Sequence, residues 1–179
     1  MKRTTLYLYV FVAALGGLLF GFDTAVINGA MPFFTDFFEL AGAGQGWAVS
    51  SALVGCVVGA LFIGKPADLL GRRTVLRILA LLFLLSAIGT GLASNFSVFV
   101  SFRFMGGLAV GGASVLSPMY ISEIAPPAFR GRLTVTFQLA IVIGILVAFF
   151  TDYLLLNTGA NNWRWMFLSE TVPALAFLF

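Results

Sequence analysis

Five apolar runs, at residues 6–34, 47–63, 76–93, 96–120 and 133–156, constrain this chain more than any other feature. Crossing about 30 Å of hydrocarbon takes roughly 20 helical residues, and each run meets or nearly meets that length. A sixth run follows Trp163-Arg164-Trp165 and reaches only to Phe179, which is too short to cross comfortably. The N-terminal run begins with Lys2-Arg3, as a signal peptide does, but its apolar stretch is far longer than the 7–15 residues of a signal core, so a retained helix is expected. Composition agrees with lipid as the solvent. Only 9% of the residues are charged and 60% are hydrophobic, whereas a soluble domain carries about 25% charged residues. The expected fold class is therefore an all-α membrane bundle of five transmembrane helices plus an incomplete sixth.

The basic residues set an orientation. Lys2, Arg3, Lys65, Arg72, Arg73, Arg77, Arg130 and Arg132 fall in loops on one side of the membrane, and only Arg164 falls on the other, with Asp36 and Glu39. Short loops rich in Lys and Arg stay in the cytoplasm, so the N-terminus is expected there. The same distribution explains the net charge of +3 without nucleic acid as a partner. The single cysteine, Cys56, excludes an internal disulfide and a thiolate-rich metal site, and the absence of histidine excludes His catalysis and His ligation. Glycines at 17 and 21, 55 and 59, and 107 and 111 stand four residues apart within the runs, the spacing at which small residues let membrane helices approach closely.

Polar residues inside the runs carry the functional argument. A charge at mid-bilayer costs at least about 2.5–3.5 kcal/mol, so it is kept where it meets a partner or a cavity. The stretch GGLLFGFDTAVINGA (16–30) contains Asp23, the fourth run contains Arg103, and Glu170 opens the sixth. Opposite charges on different helices invite pairing. A carboxylate that either pairs with Arg103 or takes a proton is a two-state element; a fixed pair that only joins two helices is the alternative. Phe20, Asp23 and Thr24 share a helix face, with Asn28 one turn on, and Gln138, Ile141 and Ile145 share another. Gln138 has two readings, as a ligand for a polyhydroxylated molecule or as a hydrogen-bonded link between helices.

Between the second and third runs stands GKPADLLGRR (64–73), in which Gly64 and Gly71 bracket Asp68 and Arg72-Arg73 follow. A short loop is expected, with Gly71 permitting a tight turn and Asp68 and Arg72 able to pair in one conformation and part in another. In EIAPPAFRGRL (123–133), Pro126-Pro127 stop the fourth helix, and Glu123, Arg130 and Arg132 supply a second charge cluster.

Together GGLLFGFDTAVINGA, GKPADLLGRR, RFMGGLAVGGAS, PMYISEIAPPAFRGRL and WRWMF resemble, in order and spacing, the sugar porters of the major facilitator superfamily, and among them the N-terminal half of bacterial sugar–proton symporters. The resemblance covers essentially the whole chain. It implies monosaccharide–proton symport by alternating access in a multi-pass protein of the cell membrane. Asp23 matches the acidic position linked to proton coupling, Arg103 its partner and Glu170 a neighbouring acid. Phe20 and Gln138 match sugar-touching positions, with Ile141 and Ile145 on the same face as Gln138. Gly64, Asp68, Gly71, Arg72 and Arg73 match the cytoplasmic gate motif, and Glu123, Arg130 and Arg132 its companion cluster. Some xylose symporters carry a second glutamine where this chain has Ile145, so the resemblance does not specify xylose.

The family has twelve spans in two halves. Residues 1–179 are expected to be the first half, truncated within the sixth helix, with the proline-, glutamate- and arginine-containing motif after it missing. The implied partners are a monosaccharide, a proton, the lipid bilayer, and either the C-terminal half or a second copy, without which the sugar site is incomplete. Two other readings stay open: a facilitative uniporter, and a non-transporting sensor or partner subunit. An enzyme is disfavoured by the lack of a nucleophile–base pair, a metal cluster or a phosphate-cradling loop, and no cofactor or metal is expected.

Overall fold

The computed structural model describes residues 3–178. Lys2 and Phe179 lie outside them, as does the side chain of Arg3. Eight helices follow in order: α1 (Arg3–Phe37), α2 (Ala43–Phe62), α3 (Gly64–Leu70), α4 (Arg72–Gly91), α5 (Phe96–Ile124), α6 (Arg130–Leu155), α7 (Asn162–Ser169) and α8 (Thr171–Leu178). There is no strand among the described residues. The five long helices, α1, α2, α4, α5 and α6, are each apolar and long enough to cross a membrane. They coincide with the five apolar runs and overshoot most of them by a few residues, because helical hydrogen bonding continues past the end of the hydrophobic stretch. Asn95 caps the start of α5, its side chain accepting a hydrogen bond from the Val98 N–H at 2.9 Å. It ends at Ile124, where Ala125 turns extended ahead of Pro126.

Segment 64–70 corrects an expectation. It is not loop but the short helix α3, with Ala67 buried and Leu69 and Leu70 exposed. The turn falls one residue later, at Gly71, with φ 85° and ψ 146°. A side chain is strained in that conformation, so Gly71→Ala is expected to lower stability by about 1–3 kcal/mol although nothing would touch its Cβ. A thermal melt of the detergent-solubilised protein checks this; an unchanged midpoint would refute it. The sixth run is also subdivided. Helix α7 gives way to α8 at Glu170, where the Glu170 N–H reaches back to Phe167 at 3.2 Å.

Packing is closest between α2 and α5 and between α1 and α6. Glycine makes both approaches possible. A Cβ on Gly55, Gly59, Gly107 or Gly111 would strike backbone of the facing α5 or α2, and one on Gly17, Gly21 or Gly144 would strike backbone across the α1–α6 seam. Three buried clusters fill the bundle. One joins α1, α4, α5 and α8 through Leu19, Phe83, Leu116 and Phe177. A second, aromatic cluster collects Phe22, Phe34, Phe99, Trp163 and Phe167 at the end where α1 meets α7. The third joins Val10, Ile121, Leu133 and Phe137 at the opposite, basic end. Helices α2 and α6 are the least covered of the long helices, leaving residues such as Leu61 and Leu146 exposed at 73% and 63%. Apolar exposure on that scale suits lipid or another protein surface rather than water.

Candidate functional site

Asp23 is held on α1 where glycine brings that helix onto α6: Gly21 lies against the Ile141 backbone. Its side chain points away from that seam, toward α5. There Arg103 donates from Nη1 to Asp23 Oδ1. Both residues are buried, at 4% and 3% exposure, so the pair is largely withdrawn from solvent. The Arg103 guanidinium also lies over the Phe167 ring, 5.5 Å from its centroid, while Arg103 Nε has no protein partner among the described residues. Phe167 is fixed in turn by Phe99 at 5.7 Å and Trp163 at 6.5 Å, both edge-on. The arginine thus has a carboxylate on one side and an aromatic face on the other, and both attract a guanidinium.

Glu170, one turn beyond Phe167, is the third member. It is 2% exposed and lies within electrostatic reach of Asp23 and Arg103, yet it forms no ion pair with Arg103. Two buried acids therefore share one arginine, and the arginine is engaged with one of them. A single protonation event can shift that balance, since neutralising Asp23 removes its claim on the guanidinium.

A cleft of about 130 Å³ reaches the pair; Phe20, Asp23, Thr24, Cys56 and Arg103 are among its walls. A few waters fit in that volume, but sites for small molecules are typically about 300–1,000 Å³. Phe20 stands at the cleft with Asp23, as the shared helix face predicts. Gln138, Ile141 and Ile145 do not line it. Gln138 is exposed and makes no hydrogen bond to another helix among the described residues, while Ile141 and Ile145 are half-buried against α1 and the aromatic cluster. The contacts of Gly17 with Phe137 and of Gly21 with Ile141 nevertheless set Gln138 and Phe20 at the same depth on neighbouring helices. A larger cleft, about 310 Å³, opens at the basic end among Tyr9, Arg73, Arg77, Tyr120 and Phe177. It shares no lining residue with the Asp23 cleft.

At the basic end the two expected charge clusters join into one. Arg72 bonds Asp68 at 2.5 Å and reaches Glu123 at 3.4 Å, tying the start of α4 to the end of α5. Glu123 thus pairs across helices and not with Arg130 or Arg132, which are exposed on the first turn of α6 beyond the Pro126-Pro127 turn and have no ion pair among the described residues. Arg73 lies over the Tyr9 ring at 4.7 Å. Gly64 opens α3 and Gly71 makes the turn that presents Arg72. Sequence reasoning missed Phe167 as a seat for Arg103. Its spacing of three residues from Glu170 was the available signal, and nothing in it pointed to α5.

Comparison with known proteins adds the following. The family model described as "Sugar (and other) transporter" matches residues 9–179. The glucose transport protein of Synechocystis sp. is 44% identical over an alignment of 177 positions that covers 93% of this chain and 38% of that protein. The D-xylose transporter of Levilactobacillus brevis is 41% identical over 179 residues, covering 100% of this chain and 39% of the relative. The galactose-proton symporter of Escherichia coli is 44% identical, covering 99% and 38%. Among solved structures, the proton:xylose symporter XylE of the major facilitator superfamily, bound to 6-bromo-6-deoxy-D-glucose, superposes with a TM-score of 0.93 at 37% identity. That match covers 99% of this chain and 44% of the solved one. The chain spans about two-fifths of the length of the curated relatives it matches.

Proposed function

The chain belongs to the sugar (and other) transporter family, and we propose that it is the N-terminal helical half of a transporter that moves a monosaccharide together with a proton across the cell membrane. The family is one of transporters rather than enzymes, and the bundle has the major facilitator fold. The observation that carries the proposal is the buried Asp23–Arg103 pair, with Glu170 beside it and a cleft leading to it. Relatives with the same half include proteins named for glucose, xylose and galactose, two of them as proton symporters.

In this reading a proton enters through the cleft to Asp23. The neutral carboxyl releases Arg103, which stays charged over Phe167 and turns toward Glu170. The exchange alters how α1, α5 and the α7–α8 break hold one another. Sugar binds against Phe20 on α1 and Gln138 on α6, and the rest of its site comes from a C-terminal half or a second copy. Gly64, Asp68, Gly71, Arg72 and Arg73, with Glu123, Arg130 and Arg132, form the cytoplasmic gate; the Arg72 pairs lie at water-exposed positions, where solvent screens the attraction and lets them open and close. The basic end and the N-terminus face the cytoplasm.

The test is Asp23→Asn in the complete transporter in proteoliposomes. A membrane potential of 100 mV supplies about 2.3 kcal/mol per proton, a roughly 50-fold sugar gradient. The variant is expected to exchange radiolabelled glucose, xylose or galactose across the membrane but to accumulate none beyond equality, and to lose sugar-driven external alkalinisation. Uphill accumulation by Asp23→Asn would exclude Asp23 as the coupling acid.

A further inference from the structure

Asp152 is a buried acid for which proton coupling at Asp23 has no use. It lies on the last turn of α6 at the aromatic end, 4% exposed, and both carboxyl oxygens are buried without a hydrogen-bond partner among the described residues. The niche is built for it. Gly29 of α1 faces the carboxyl so closely that a Cβ there would overlap it.

An ionised carboxylate in such a niche needs a cation or several donors, and the surrounding elements offer neither. On α1, Asp23 is committed to Arg103, and Asp36, nearly two turns beyond Gly29, is exposed. On α5, Arg103 is held by Asp23 and Phe167. On α7, the Arg164 guanidinium donates to the Gly91 carbonyl at 3.0 Å and lies over the Phe37 and Trp163 rings, and Glu170, at the break after α7, could only repel. No ion pair reaches Asp152 among the described residues. Two buried donors, Thr35 Oγ1 on α1 and Trp163 Nε1 in the aromatic cluster that includes Ala148, one turn before Asp152, are also without a partner, and neither bonds the Asp152 carboxyl.

We propose that Asp152 is a second proton-binding site, which holds its proton while α1 and α6 are closed at Gly29 and gives it to water when that seam opens. One proton moves between the carboxyl and water, and no other group changes. The inference rests on the packing around Asp152 and stands whether or not Asp23 couples protons to sugar.

Infrared spectroscopy tests it on the full chain in phosphatidylcholine nanodiscs, with aspartate labelled by carbon-13 at the side-chain carboxyl. At pH 7 the expected spectrum contains an isotope-shifted C=O stretch of a protonated carboxyl, lost in Asp152→Asn and kept in Asp23→Asn. Absence of the band, or its persistence in Asp152→Asn, overturns the proposal. A band lost only in Asp23→Asn also overturns it and moves the proton to Asp23. Dicyclohexylcarbodiimide, which reacts with protonated carboxyls in apolar surroundings, provides a check without mutation. Mass spectrometry of the treated wild-type chain should place an adduct on Asp152 and none on the exposed Asp36 or Asp68; no adduct on Asp152 overturns the assignment.

Discussion

Arg103→Leu is expected to destabilise the bundle by about 3–5 kcal/mol, and Asp23→Asn by clearly less. The asymmetry follows from the count of charges around the site. Removing the guanidinium leaves Asp23 and Glu170 both buried with no cation in reach, and an uncompensated buried charge is the costly outcome. In Asp23→Asn the amide oxygen still accepts from Arg103 Nη1, and the arginine keeps Glu170 and the Phe167 face nearby. Pairing is also expected to be non-additive: Asp23→Leu combined with Arg103→Leu should cost less than Arg103→Leu alone, because it removes one of the two stranded acids. Denaturation midpoints in mixed micelles, compared across the three variants at fixed pH, would decide it. An Arg103→Leu protein as stable as Asp23→Asn would mean that water or lipid headgroups reach the site and screen the acids, and the two-acid, one-base arrangement would lose its energetic meaning.

The spans and the charges that make the site were legible in the sequence for one physical reason. A charge inside an apolar run is so costly that few arrangements remain, and opposite charges in different runs invite pairing; that Arg103 meets Asp23 and not Asp152 of the fifth run was settled only by the fold. Glycine pairs four apart were legible too, since they have little use in a lipid-facing helix except close approach. Segment 64–70 misled because glycines at both ends and a proline near the start read as turn chemistry, while a helix of seven residues is too short for periodicity to speak. The Arg72–Glu123 pair was not legible. The partners stand 51 residues apart, and nothing local selects Glu123 for Arg72 over Arg130 or Arg132. The seat of Arg103 on Phe167 required knowing that α7 folds back against α1 and α4 with the Phe167 ring reaching α5, and the unpartnered state of Asp152 required knowing where every cation went. Both are properties of three-dimensional packing, and local sequence spacing leaves no trace of either.

Gly107→Ala and Gly111→Ala are expected to cost about 1–3 kcal/mol each, and Gly107→Leu with Gly111→Leu to part α2 from α5 altogether. A Cβ at 107 would sit on the Ala52 carbonyl and one at 111 on the Cys56 carbonyl, while Gly55 and Gly59 meet the Phe104 and Leu108 carbonyls in return. The obstacle in every case is backbone, which cannot rotate aside as a side chain would, so relief requires moving a whole helix. Gly131→Ala on α6 is the matched control: nothing lies within 4 Å of its Cβ, and removing a helical glycine in open space is expected to raise stability by about 0.5–1 kcal/mol. Opposite signs for one chemical change, read as melting midpoints of the detergent-solubilised protein, would establish that the α2–α5 seam and not helix propensity sets the result. If Gly107→Ala instead stabilised as Gly131→Ala does, the seam would be looser than described. The consequence would extend to the charged site, because Phe104, whose carbonyl rests on Gly55, is the residue next to Arg103. The backbone that aims the guanidinium at Asp23 is seated directly on α2, so separating the helices should dislodge Arg103 and disrupt the site without altering any charge.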